Sequence, residues 1–126
     1  MHDHDEAVTA LLAELTSPEA ARRMQNGDKS NGFGEALGRL AFDFVFGQLW
    51  LRPGLDRRSR SLVTLGVLIT LRATGQLRFH IPAALRNGLT REEIEEVIYH
   101  CSAYAGFPAA SEARDAAEQI MAEIRT

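Results

Sequence analysis

The sequence predicts an all-α protein, one compact domain of about six or seven helices. Apolar residues recur at helical spacing over most of the chain rather than alternating. Glycine, proline and capping residues punctuate these stretches at short intervals. The 126 residues are 45% hydrophobic, enough for one core.

Taken in order, Ala7 to Leu15 reads as a short helix. Ser17-Pro18-Glu19 restarts one, with Ser17 as N-cap and Pro18 in the first helical position. Gln25 to Gly34, with three glycines and two asparagines, is the most loop-like stretch. From Glu35 to Leu49, Leu37, Leu40, Ala41, Phe44, Val45 and Leu49 form a helical face, broadened by Phe42 and Phe46. Pro53-Gly54 fixes the turn that follows Trp50.

Asp56 then caps a helix to about Arg72. Its interior, Leu62 to Ile69, is apolar nearly all round, which places it at the centre of the domain or at a subunit interface. Gly75 to Asn87 is the next helix, and Pro82 should bend or open it. Gly88 ends it, and Thr90-Arg91-Glu92-Glu93 is a capping box with Leu89 and Ile94 as a hydrophobic staple. The helix after it buries Ile94, Val97, Ile98, Cys101 and Ala105 and stops at Gly106-Phe107-Pro108. A last helix runs from Ala109 to Ile124.

A formal charge of −3 and no basic stripe argue against a nucleic-acid partner. Of the fourteen basic residues thirteen are arginine, which suits forked recognition of carboxylates. The single cysteine, Cys101, excludes an internal disulfide. The polar start, Met1-His2-Asp3-His4-Asp5-Glu6, is unlike a signal peptide, and Leu62 to Leu71 is too short to cross a bilayer. A soluble, cytoplasmic protein with no membrane partner is expected. His2 and His4 read as part of a mobile tail. No metal site is expected, because no two histidines share a ligand spacing and the neighbours His100 and Cys101 point to different faces of a helix.

His80 stands out. Leu77, His80, Ile81, Ala84 and Leu85 form one apolar stripe, so a titratable imidazole lies among hydrocarbon, where burial disfavours its charge. Gln76 lies one turn earlier, within reach of the ring. A core histidine satisfied by that glutamine and a proton-handling residue are both compatible with this pattern.

Three blocks carry a resemblance. They are Gln76-Leu77-x-x-His80-x-x-x-Ala84-Leu85-x-x-Gly88-Leu89-Thr90-x-x-Glu93-Ile94, then Trp50-x-Arg52-Pro53-Gly54-Leu55-x-Arg57-x-x-Arg60-Ser61-Leu62-Val63-Thr64, and His100-Cys101-Ser102-x-Tyr104-Ala105-Gly106-x-Pro108-Ala109. In unbroken order over roughly residues 35 to 120, they resemble the carboxymuconolactone decarboxylase family, and its 4-carboxymuconolactone decarboxylase subgroup in particular. The resemblance implies an alkyl hydroperoxidase D-like helical fold in one domain over 1–126, with a variable part at 1–30 and a core at 31–124. It also implies self-association, as a homo-trimer or homo-hexamer, and catalysis without a cofactor. The peroxidase members carry Cys-x-x-Cys-x-x-x-His, and here those cysteine positions are Ala73 and Gln76, so a disulfide cycle lacks both sulfurs.

The implied reaction is decarboxylation of 4-carboxymuconolactone, on the route to 3-oxoadipate in aromatic catabolism, or of a related lactone acid. His80 would handle the proton or the oxyanion, with Gln76 orienting it. Arg52, Arg57 and Arg60 are the candidates for substrate carboxylates, Trp50 for a wall, and Tyr104 and His100 for further contacts. The subgroup has Glu-Leu-x-x-His where this chain has Gln76, and an amide cannot exchange a proton. Either His80 does the proton work alone, or the reaction is a different proton transfer. A non-catalytic oligomer that binds small carboxylates is the alternative outside enzymes.

Overall fold

The computed structural model describes residues 2–26 and 32–125, and among them every regular element is helical. The helices are α1 (His2–Leu15), α2 (Pro18–Asn26), α3 (Ala36–Leu40), α4 (Arg57–Thr70), α5 (Thr74–Arg86), α6 (Arg91–Ala105) and α7 (Phe107–Arg125). A π-helical turn series, Ala41–Trp50, continues α3 without a break. None is long and apolar enough to cross a membrane. They form two compact units that divide between Leu55 and Asp56.

In the first unit, α1 packs on α2 and on the π segment. Val8, Leu11, Leu12 and Leu15 of α1 are buried, as are Ala21, Phe42, Phe46 and Trp50. Ser17 caps α2 as expected, its Oγ accepting the N–H of Ala20 at 3.1 Å. Three expectations are corrected here. The helix begins at His2 rather than Ala7, so His4 is not in a mobile tail. The His4 ring lies so close to Gly47 that a Cβ there would come within 2.7 Å of Nε2, and the Asp5 carboxylate takes both of its contacts from Arg39 at 3.1 and 3.2 Å. These contacts hold the first turn.

Second, Gln25 and Asn26 belong to α2, and residues 27–31 of the expected loop lie outside the described residues. Third, the buried face of the 35–50 stretch is Phe42, Phe46 and Trp50, whereas Leu37, Leu40, Phe44 and Leu49 are exposed, Leu37 by 73%. A 3.6-residue period misplaces this face because the π winding reaches back five residues per hydrogen bond and opens each turn.

The second unit is built around α5. Leu77, Ile81 and Ala84 pack with Leu65 and Ile69 of α4, Ile94 and Ile98 of α6, and Ala110, Ala113, Ala117 and Ile120 of α7. Alanines along α7 let it approach closely. The Asp56 side chain accepts the N–H of Ser59 at 2.7 Å and starts α4. Both ends of the helix pair close with Schellman hydrogen bonds. At the end of α4, the Ala73 N–H donates to the Leu68 carbonyl and the Arg72 N–H to that of Ile69. At the end of α5, Leu89 donates to Ala84 and Gly88 to Leu85. Gly88 has φ of 101° and Arg72 has 56°, the left-handed conformation each motif needs.

The capping box at Thr90 is complete: its Oγ1 accepts the Glu93 N–H at 3.1 Å, and the Glu93 carboxylate accepts the Thr90 N–H at 2.9 Å. Leu89 and Ile94 are buried beside it. α5 does not open at Pro82, and α7 begins at Phe107, directly after the Gly106 cap, rather than at Ala109. Of the expected buried face of α6 only Ile94 and Ile98 are fully covered; Val97, Cys101 and Ala105 are half-buried. The apolar residues of α4 divide similarly, with Leu65 and Ile69 inside and Val63 and Val67 exposed.

Removing the α6 cap with Thr90→Ala should lower unfolding stability by about 1 kcal/mol, and Leu65→Ala by roughly 2–5 kcal/mol, since only the latter leaves a cavity. Urea titrations of the two variants check the ordering.

Candidate active site

Helices α4 and α5 run side by side, joined by the short turn at Leu71-Arg72-Ala73. One polar bond marks which faces meet: the Asn87 amide, at the end of α5, donates to Ser61 Oγ of α4 at 2.9 Å. Ser61 is 2% exposed and is the buried polar residue of the described core.

With about 100° of rotation per residue, Gln76, His80, Ala83 and Asn87 share one strip of α5. Arg57, Ser61 and Thr64 share one strip of α4, with Arg60 at its edge. The Ser61–Asn87 bond sets these strips against each other. His80 and Gln76 of the sequence prediction therefore fall on the same surface of the helix pair as Arg57 and Arg60. Two helical turns, about 10 Å of rise, separate His80 from the level of Asn87 and Ser61.

His80 is half-buried between that surface and the core, with the Phe79 ring edge-on at 4.8 Å. Burial lowers its pKa from 6.5 to about 4, so at neutral pH the imidazole is uncharged and still carries one N–H. Gln76 is exposed, and its recorded hydrogen bond is a backbone one, from its N–H to the Ala73 carbonyl at 3.0 Å. Arg57 and Arg60 are half-buried at the start of α4.

The other predicted residues fall elsewhere. Trp50 is buried in the first unit, stacked on Phe46 at 6.5 Å between centroids, and Arg52 is exposed on the turn after it. His100 and Tyr104 are on α6, their rings 5.2 Å apart, and Tyr104 is 83% exposed. His100 lines a groove between α4 and α6 of about 650 Å³ together with Arg58, Glu93 and Cys101. Its neighbour Cys101 lines the same groove. Burial raises the Cys101 pKa, as befits a packed thiol rather than a nucleophile.

Arg58 ion-pairs with Glu93 across the α4–α6 groove, and the Glu93 carboxyl titrates below its usual range because it accepts the Thr90 N–H and then the Arg58 guanidinium. Sequence reading passed over Arg58, since nothing local links residues so far apart in the chain. It also passed over Ser61 and Asn87, whose pairing joins residues far apart in the chain. Among the described residues, no three of His, Cys, Asp and Glu gather as a metal-holding group.

A helical unit with a half-buried histidine on α5 and arginines at the start of α4 narrows the class of protein, and comparison with known sequences names it. Residues 35–119 match the model of the carboxymuconolactone decarboxylase family. The chain is 42% identical over 94 residues to 4-carboxymuconolactone decarboxylase of Acinetobacter baylyi, covering 75% of this chain and 70% of that protein. It is 43% identical over 74 residues to the nitrosuccinic acid decarboxylase npaB of Metarhizium robertsii, covering 59% of this chain and 52% of the relative. A 15.0 kDa protein from the nqo9-nqo10 intergenic region of Paracoccus denitrificans is 38% identical over 80 residues, covering 62% of this chain and 60% of that one. The chain belongs to the carboxymuconolactone decarboxylase family.

The depressed pKa of His80 has a consequence for stability. Between pH 6.5 and about 4 the unfolded chain takes up a proton at this residue that the folded chain refuses, so its effect lowers stability as the pH falls and levels off below 4. Histidine NMR should show one ring titrating near pH 4. Unfolding measured at pH 7 and pH 4.5 should show a smaller acid loss for His80→Gln than for the unaltered chain.

Proposed function

We propose that this chain is a cofactor-independent decarboxylase of 4-carboxymuconolactone or a related lactone acid, acting through the α4–α5 surface. The observation that carries the reading is the half-buried, uncharged His80 on the same strip of helices as Arg57 and Arg60. Decarboxylases head the family resemblance, and two relatives bear that name with different substrates. Nitrosuccinic acid and carboxymuconolactone are both dicarboxylic acids with an additional electron-withdrawing group. The shared demand is to hold carboxylates and stabilise the charge that carbon dioxide leaves behind.

For the lactone, the bond from the ring carbon to the leaving carboxylate breaks. Its electron pair moves through the ring double bond onto the lactone carbonyl, giving a dienolate. One proton then adds to the carbon next to that carbonyl, and the enol-lactone results. Arg57 and Arg60 hold the carboxylate that stays. His80, neutral, donates its N–H to the developing oxyanion, a contribution of roughly 3 kcal/mol. An imidazole with so low a pKa is a poor reservoir of protons, so the proton reaching carbon comes from solvent by way of the ring. Gln76 lines the same strip and aligns either the ring or the substrate. Association into a homo-oligomer, which the exposed apolar residues of α4 favour, belongs to the same reading.

The test is carbon dioxide release from freshly made 4-carboxymuconolactone as a function of pH. An N–H donor that stays uncharged over this range predicts kcat level from pH 8 to about 5. A rate confined to acid would make the protonated ring the acid instead, and no turnover at any pH would leave the carboxylate-binding alternative. Arg57→Ala and Arg60→Ala should raise KM more than they lower kcat. Gln76→Glu should raise the rate on the lactone if the amide marks drift from the parent reaction.

A further inference from the structure

We infer that Ser61 and Asn87 form a positioning brace that sets the register of α5 on α4, and through it the spacing between His80 and the arginines Arg57 and Arg60. This rests on the proposed use of that surface. The Asn87 amide donates to Ser61 Oγ at 2.9 Å, and Ser61 is 2% exposed. The remaining core partners of α4 and α5 are hydrocarbon: Leu65 and Ile69 against Leu77, Ile81 and Ala84. Apolar side chains reward burial but tolerate small axial slides, because their attraction is not directional. A hydrogen bond is directional, and a buried hydroxyl without its partner is costly. This bond adds a directional contact that ties one axial setting of the pair to a fixed donor and acceptor.

Its position suits the task. Ser61 lies one turn after Arg57 and directly after Arg60, and Asn87 lies two turns after His80 on the same strip. Asn87 is itself fixed, as the C-cap of α5, by its own N–H to the Ala83 carbonyl at 2.9 Å and by the Schellman bonds of Gly88 and Leu89. The brace thus joins a rigid helix end to the helix start that carries the arginines. Neither residue touches the reacting atoms. They act by holding those that do, and a small misplacement of reacting groups is expensive in rate.

The experiment compares Asn87→Ala, Ser61→Ala and the double variant with Thr90→Ala, which lowers stability at the α6 cap and leaves the Ser61–Asn87 bond in place. The His80 ring titration by NMR and the kcat and KM for 4-carboxymuconolactone are measured on each. Loss of the brace should let α5 slide, expose His80 and move its pKa upward from about 4 toward 6.5. It should also lower kcat on the order of tenfold to a hundredfold with KM little changed. The double variant should match the single ones, since one bond is being broken. Thr90→Ala should move neither reading. An unmoved His80 titration in both single variants overturns the brace, as does an equal shift in Thr90→Ala. If the unaltered chain fails to turn over while the titration still shifts in the brace variants, the brace stands and the decarboxylase reading falls.

Discussion

The structure of the second unit depends on the burial of one face of α5. Leu77, Ile81 and Ala84 are enclosed by α4, α6 and the alanine-lined face of α7, and His80 shares the helix with them. The same burial that stabilises the helix makes the imidazole unfavourable to charge. Packing and chemistry are therefore one constraint.

Where local chemistry decides an element, the sequence was readable. Asp56, Ser17 and the Thr90–Glu93 box announced their helix starts, and Gly88 announced a helix end, because caps are settled within four or five residues. The Schellman turn at Arg72 was missed, since an arginine in the left-handed conformation gives no sequence signal. The buried face of 41–50 was also misplaced, because the stretch is wound as a π-helix that packs on α1 through the Phe42, Phe46 and Trp50 side of the segment rather than through Leu37, Leu40, Phe44 and Leu49.

The candidate site was legible in part for similar reasons. His80 was visible because its own helix displays the apolar stripe around it. The arginines at the start of α4 were visible through motif spacing, but the sequence does not say which helix face each one shares. The Asn87–Ser61 bond shows which face of α4 meets α5, while the Arg58–Glu93 pair marks the face that meets α6. His100 and Tyr104 belong with that second face. Residues that the sequence blocks group together thus separate in the fold, with Trp50 and Arg52 in the first unit, Arg57 and Arg60 on α4, and His100 and Tyr104 on α6.

Histidine NMR with muconolactone, the lactone lacking the carboxylate that leaves, distinguishes the α4–α5 surface from the α4–α6 groove. Titrated into the protein, with ring signals assigned by His80→Gln and His100→Gln, this unreactive compound should shift the His80 signal in a saturable way and leave His100 in place. A saturable shift of His100 with His80 unmoved would contradict the account and put the site in the α4–α6 groove.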